Sequence, residues 1–429
     1  MTGKKLLILG SDYGTLDLVK EAQSNGVYVI VSDTMQTSPT KEAADEAWFI
    51  STTDIDALEA KCREVGIDGV TFGASDFNIN NGRKLCKRLG LPCYCESDRA
   101  WEVGCNKSEF KKICKEVGAP IANDYYLTDA LTEEELAPIV YPVVVKPVDK
   151  SGNRGMSYCY NRDELIDAYK YARSVSDNST IIVERMLKGP EFAVNYVIAD
   201  GEINLLYFSS EHHQPGQLSN LYSLIYTQSY HLKQYIEECN EKVIEVFKKA
   251  ECKEGIAWVE CMLDTDGHFY LLEMGYRFGG EMTYVPYKEI SGFNTIKWML
   301  EIALGVKHKA SDLPPALNQC YRGCAASYYM FTTCEGEIAH MEGLDEIAKM
   351  PNVIIDCPKR VGNSVRYHAA MGILRIFSKD CDELCQTIEN INKVLKVTNK
   401  DGEGMFIYFN DFDSVKEEYA KGLAEFGME

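Results

Sequence analysis

Over the first hundred residues, short apolar runs alternate with amphipathic stretches. Leu6-Leu7-Ile8-Leu9 ends in the turn Gly10-Ser11-Asp12-Tyr13-Gly14, and a helical pattern follows to Ser24-Asn25-Gly26. Val27 to Val31 is a second run, ending at Asp33. Gly69-Val70-Thr71-Phe72 and a helix from Asn81 to Leu89 repeat the rhythm. Apolar runs spaced by helices predict a parallel sheet with crossover connections. The Gly10/Gly14 turn followed by Asp33 has the outline of a dinucleotide site, but its spacing is G-x-x-x-G and not G-x-G-x-x-G. A structural turn or a substrate wall is the preferred reading.

A second region opens near Asn106. Asn106-Lys107-Ser108-Glu109 fits an N-cap followed by an acidic residue, opening a helix through Val117. Strands are expected at Val143 to Lys146, Met156 to Tyr160, Ile181 to Glu184, Glu191 to Ile198, Ile256 to Leu263 and His268 to Met274. The last two flank a hairpin signal, Asp264-Thr265-Asp266-Gly267, and Glu238 to Ala250 reads as a helix. From about Ala310 a third region has strands near Tyr321 to Phe331 and Gly372 to Phe377. A helix from Glu383 to Val394 and a final strand at Met405 to Tyr408 complete it.

Composition narrows the possibilities. A chain of 429 residues holds more than one core, and 45% hydrophobic with 26% charged residues is globular. Sixty-five acidic against 45 basic residues give a net charge of −20, which disfavours nucleic acid and anionic membranes as partners. The run Leu6 to Leu9 is too short for a signal peptide, and no run reaches the length of a membrane span. The 16 cysteines are scattered, with no C-x-x-C pair. They predict a reduced, cytoplasmic protein whose cysteines are mostly small buried hydrophobes.

Three clusters carry chemistry. In Lys146-Pro147-Val148-Asp149-Lys150-Ser151-Gly152-Asn153-Arg154-Gly155 a strand delivers a lysine to a small-residue loop. Such a loop suits phosphate oxygens as well as a plain hairpin. Glu184-Arg185-Met186-Leu187-Lys188-Gly189-Pro190-Glu191 links two strands and could offer backbone groups to a purine and a carboxylate to a ribose. Glu260 and Glu273 end neighbouring apolar strands, which is costly without a cation. Magnesium takes one or two such carboxylates plus phosphate oxygens. Arg277 follows directly, placed to stabilise charge developing in phosphoryl or acyl transfer.

The order of these clusters resembles the ATP-grasp superfamily, in its biotin carboxylase and carbamoyl-phosphate synthetase-like branch, and is closest in pattern to L-amino-acid ligases. The resemblance implies an α/β protein (α+β in part): a Rossmann-like N-terminal domain over 1–100, a two-part ATP-grasp domain over 101–309 with lobes at about 101–185 and 186–309, and a smaller C-terminal α+β domain over 310–429. It implies ATP and Mg²⁺, with Mn²⁺ as a substitute. Lys107, Lys146, Ser151, Gly152 and Gly155 would fall at the phosphates, Glu184, Met186 and Leu187 at the adenine hinge, and Glu191 at the ribose. Glu260 and Glu273 would hold the metal, while Arg277 and Lys146 would serve catalysis. The implied reaction joins a carboxylate to an amine through an acyl phosphate, releasing ADP and phosphate, with amino acids as candidate substrates and a homodimer as the assembly.

Two positions depart from the family pattern. Gly275 stands where Glu-x-Asn-x-Arg has asparagine, which removes an oxygen ligand for a second metal. Trp258 stands where many of the amino-acid ligases have histidine. An ATP-binding sensor without turnover is therefore one alternative, and a biotin-carboxylase-like subunit another, although no Met-Lys-Met attachment signal occurs. On the substrate side His212, His213 and Arg322 are candidates, the histidines within a polar stretch from Glu211 to Tyr226 expected to form a covering loop.

Overall fold

The computed structural model describes residues 1–12, 14–150, 154–178, 180–213, 220–226, 229–315 and 323–427. Four strands, β1 (Lys5–Leu9), β2 (Tyr28–Ser32), β3 (Glu46–Trp48) and β4 (Gly69–Phe72), form a parallel sheet in the order β3-β2-β1-β4. Leu6 and Ile8 pack on one face while Leu7 and Leu9 pack on the other. Burial on both faces is why this strand reads as an unbroken apolar run.

A small antiparallel sheet follows, in the order β5-β8-β6-β7, from β5 (Asp124–Tyr125), β6 (Val143–Pro147), β7 (Ser157–Cys159) and β8 (Ile181–Arg185). Val143, Val145 and Val183 bury against helix Arg162–Val175. Side chains alternate along a strand, so Lys146 and Glu184 face the other way.

The largest sheet has eight strands. It runs β13 (Phe269–Gly275), β12 (Gly255–Leu263), β9 (Glu191–Ala199), β10 (Glu202–His213), β11 (Asn220–Tyr226), β14 (Cys324–Phe331), then Ala370–Ser378 and Val353–Asp356. One face, carrying Val194, Tyr196, Phe208, Val259 and Met274, packs on helices Lys107–Val117 and Glu241–Lys249. The opposite face carries Glu260, Glu273, Trp258 and Asn195 and turns toward the N-terminal unit. β11 pairs with β14 from Tyr222↔Tyr328 to Tyr226↔Cys324, so strands from both sides of residue 310 share one ladder.

Several sequence expectations need correction. Residues 211–213 and 220–226 pair as strands where a covering loop was expected. Met405–Tyr408 is not a strand; its backbone bonds Val397 on one side and Phe331 and Thr333 on the other. A helix at Phe412–Glu425, capped by Asp411, was not anticipated. The helix expected from Asn81 begins at Asp76, and the one expected from Glu238 begins at Leu232 with a π turn over Ile236–Asn240. Every cysteine among the described residues is a free thiol, and no helix among them is long and apolar enough to cross a membrane.

One buried ion pair ties the two ends of the chain together. Arg375, 2% exposed on the eight-stranded sheet, bonds Asp17 of helix Thr15–Ser24. Removing one partner of such a pair strands a buried charge. Asp17→Ala should therefore lower unfolding stability in urea by about 3–5 kcal/mol. Replacing both residues, as Asp17→Leu with Arg375→Met, should recover most of that loss.

Candidate active site

Glu260 and Glu273 sit opposite each other on β12 and β13, in direct register. Cross-strand partners place their Cβ atoms about 5 Å apart, so both carboxylates open on one patch of the sheet. Burial pushes the Glu260 carboxyl well above its usual range, and the negative charges of Glu273, Glu191 and Glu281 push it the same way. Such a pair calls for a cation. Lys107, the first residue of helix Lys107–Val117, answers part of it with an ion pair to Glu273. Asn106 caps that helix by accepting the Ser108 N–H at 3.0 Å, which points the first turn at the carboxylates.

Arg277 completes the cleft. Its Nε donates to Asp76 at 2.6 Å and one terminal nitrogen to the Phe278 carbonyl at 3.0 Å. Its guanidinium lies 5.0 Å from the centre of the Trp258 ring. Lys107, Lys150, Trp258, Glu273 and Arg277 line one pocket with Asp76 and Cys105. Asp76 comes from the N-terminal unit, so a residue 201 positions away orients the arginine.

The small sheet contributes a second centre of charge. Glu184, 4% exposed, is bonded by both Lys111 and Lys146. Burial alone would raise its carboxyl, but the two ammonium groups outweigh that and hold it below the usual range. Its side chain is thus the counter-ion of the lysines. The backbone of Met186 and Leu187 runs on as the link between the sheets. Met186 N–H donates to the Pro142 carbonyl at 3.1 Å and Lys188 N–H to Asp264 at 2.8 Å. Gly155 has φ +82°, and a Cβ there would crowd Pro147 and Val175.

The structure thus brings Lys107, Glu260, Glu273 and Arg277 together, with Glu191 on the same sheet face as Glu260, and joins Lys146 to Glu184 on the facing lobe. His212 is not brought to this cleft. It bonds Ser210 at 3.0 Å and faces Glu418 and Phe409 of the C-terminal segment. Ser151, Gly152 and Arg322 lie outside the described residues, as does the side chain of His213. Sequence reading missed Lys111, Asp76 and Glu281. Lys111 carries a faint signal, one helical turn beyond Lys107, whereas Asp76 and Glu281 carry none.

Gly275 has a direct structural cause. It is the register partner of Trp258, and a Cβ built on it would stand 2.3 Å from two indole carbons, a clash. The two departures from the family pattern are one packing solution. The residues present fit a magnesium ion: Glu260 and Glu273 offer two carboxylates in direct register, and Mg²⁺ takes one or two protein carboxylates together with phosphate oxygens.

Two predictions follow from this geometry. Gly275→Asn should cost about 1–3 kcal/mol in urea unfolding through overpacking, and measurably less in a Trp258→Ala background. Asp12, bonded to Asn78 at 2.9 Å, is pushed up to about 6 by burial. The folded chain therefore binds this proton more tightly than the unfolded one, and stability falls as pH rises between the two pKa values. Asp12→Asn should raise the melting temperature at pH 8 and change it little at pH 4.

Comparison with known proteins places one stretch of the chain against a family model. Residues 139–285 match the ATP-grasp domain. The 2-oxoglutarate carboxylase small subunit of Hydrogenobacter thermophilus is 22% identical over 325 residues, covering 72% of this chain and 68% of that protein. The formate-dependent phosphoribosylglycinamide formyltransferase of Bacteroides thetaiotaomicron is 28% identical over 291 residues, covering 64% and 70%. The crystal structure of the L-amino acid ligase from Bacillus licheniformis superposes with a TM-score of 0.77 at 20% identity, covering 93% of this chain and all of that one. At such identity the likeness is one of fold. The match to the ATP-grasp domain thus spans 139–285, and the α/β fold around it is shared with the L-amino acid ligase structure.

Proposed function

We propose that this protein is an ADP-forming carboxylate–amine ligase that works through an acyl phosphate. The observation that carries the reading is the Glu260/Glu273 pair in direct register, whose Glu273 shares one pocket with Lys107 and Arg277. Glu260 and Glu273 would hold Mg²⁺, which when bound would neutralise phosphate charge and polarise the terminal phosphoryl group. Lys107 and Lys146 are the point charges for the nucleotide's phosphates.

In the first step a substrate carboxylate oxygen attacks the γ-phosphorus and the bond to the β-phosphate oxygen breaks, releasing ADP. An amine then attacks the acyl carbon, the bond to phosphate breaks, and the amine loses a proton. Arg277 is placed for the charge that grows on the transferred group, so the protein contributes chiefly alignment and neutralisation. Amino acids are one candidate class for both substrates.

A second reading, an ATP-binding sensor without turnover, draws on Gly275, which supplies no metal-ligating oxygen. Phosphate release from MgATP separates the two when the protein is screened against pooled amino acids and small carboxylates. A ligase gives ADP and phosphate with particular pools only. AMP and pyrophosphate would overturn the acyl-phosphate route, and silence with tight ATP binding would favour the sensor. Glu273→Gln and Arg277→Ala should each reduce turnover by at least about 10²-fold while leaving the melting profile near wild type. Near-normal turnover in both variants would sink the site assignment.

A further inference from the structure

Trp258 is the residue whose chemistry the reaction above leaves unused. It is 6% exposed, and its Nε1 is buried without a hydrogen-bond partner among the described residues. A phenyl ring would fill the same space without leaving a polar group unpaired. The indole nitrogen lies 2.7 Å from where a Cβ on Gly275 would stand, so the N–H edge of the ring is directed toward β13, the strand that carries Glu273 and leads to Arg277. The residue also lines the same pocket as Lys107, Glu273 and Arg277.

Two neighbours share this surplus of donors. Asn195, the register partner of Trp258 on β9, is 8% exposed, and its amide nitrogen also has no partner among the described residues. Arg277 uses Nε and one terminal nitrogen on Asp76 and Phe278, and its other terminal nitrogen makes no hydrogen bond among the described residues. Unpaired buried donors on one sheet face, beside a guanidinium stacked on the indole, suit an acceptor that carries negative charge. Glycine at 275 makes room for the indole edge, so a position that offers a metal-ligating oxygen in the family pattern here packs beside an unpaired N–H donor.

We propose that the Trp258 indole N–H donates a hydrogen bond to an oxyanion oxygen bound beside Arg277, either of the terminal phosphoryl group or of the carboxylate that receives it. This rests on reading the cleft as the site of phosphoryl transfer. Trp258 then touches the reacting group, and its indole fixes Arg277 and the donor in one rigid unit.

The direct test is the indole N–H resonance. The chain has four tryptophans, so ¹⁵N labelling gives four indole signals, and Trp258→Phe identifies one by its loss. The wild-type protein is titrated with the magnesium complex of a non-hydrolysable ATP analogue, with MgADP plus orthophosphate, and with MgADP plus acetate. MgADP alone is the reference. A downfield shift of the Trp258 signal with the analogue or orthophosphate identifies the phosphoryl oxygen, and a shift with acetate alone identifies the carboxylate. A signal that stays in place in every arm, while calorimetry shows the nucleotide bound, overturns the proposal and leaves the nucleotide site standing. Failure of the nucleotide to bind removes the site reading and this proposal with it. In turnover, Trp258→Phe should lower kcat by about 10²-fold with less than about threefold change in nucleotide affinity. Unchanged kcat would equally overturn it.

Discussion

Two carboxylates fixed face to face on neighbouring strands set the conditions for the rest of the cleft. Strand pairing holds their Cβ atoms about 5 Å apart, so two acids share one patch and charge on both at once is costly. The surrounding groups answer that charge. Lys107 starts a helix aimed at Glu273, and Arg277 follows β13 closely enough to share the pocket. The small sheet keeps its own cation, Lys146, balanced on Glu184. The site is therefore built around a deficit of positive charge that its ligands make good.

Much of this was legible in the chain because the signals were local. Glu260 and Glu273 stood out as acids inside apolar strands, the hairpin between them was marked by Asp264 to Gly267, and Asn106 announced the helix that carries Lys107. The parallel sheet followed from the unbroken apolar runs at Leu6 and Val27. What could not be read depended on partners far away in the chain. Asp76 meets Arg277 across 201 positions and Arg375 meets Asp17 across 358, and nothing near any of these residues specifies its partner. His212 read as a loop residue because its strand is polar. β10 in fact extends through it, and the period of two turns it toward the C-terminal helix. The extended segment Met405–Tyr408 has the apolar content of a strand but makes only scattered backbone bonds, to Val397, Phe331 and Thr333, so tertiary packing overrode its propensity.

Gly275 and Trp258 show how a deviation can mislead when counted by itself. In the sequence they are two separate losses, one metal-ligating oxygen and one histidine. Across the strand pair they are a single exchange of volume: a large ring on one strand requires a bare backbone on the other. The same exchange puts a flat aromatic surface beneath Arg277 and narrows the arginine's freedom, which a small residue at 258 would not do.

The unbroken ladder from β13 to Val353–Asp356 has a consequence for motion and for divergence. The metal-side carboxylates and the C-terminal segment hang from the same hydrogen-bonded framework, so neither can swing without shearing the ladder between β11 and β14. Among the described residues, the small sheet over 124–185 has no strand in that framework and pairs within itself. The small sheet is therefore the element with the fewest backbone ties to the strands that carry Glu260 and Glu273. Sequence change in the C-terminal segment can reshape one end of the eight-stranded sheet while leaving the small sheet's own pairing untouched.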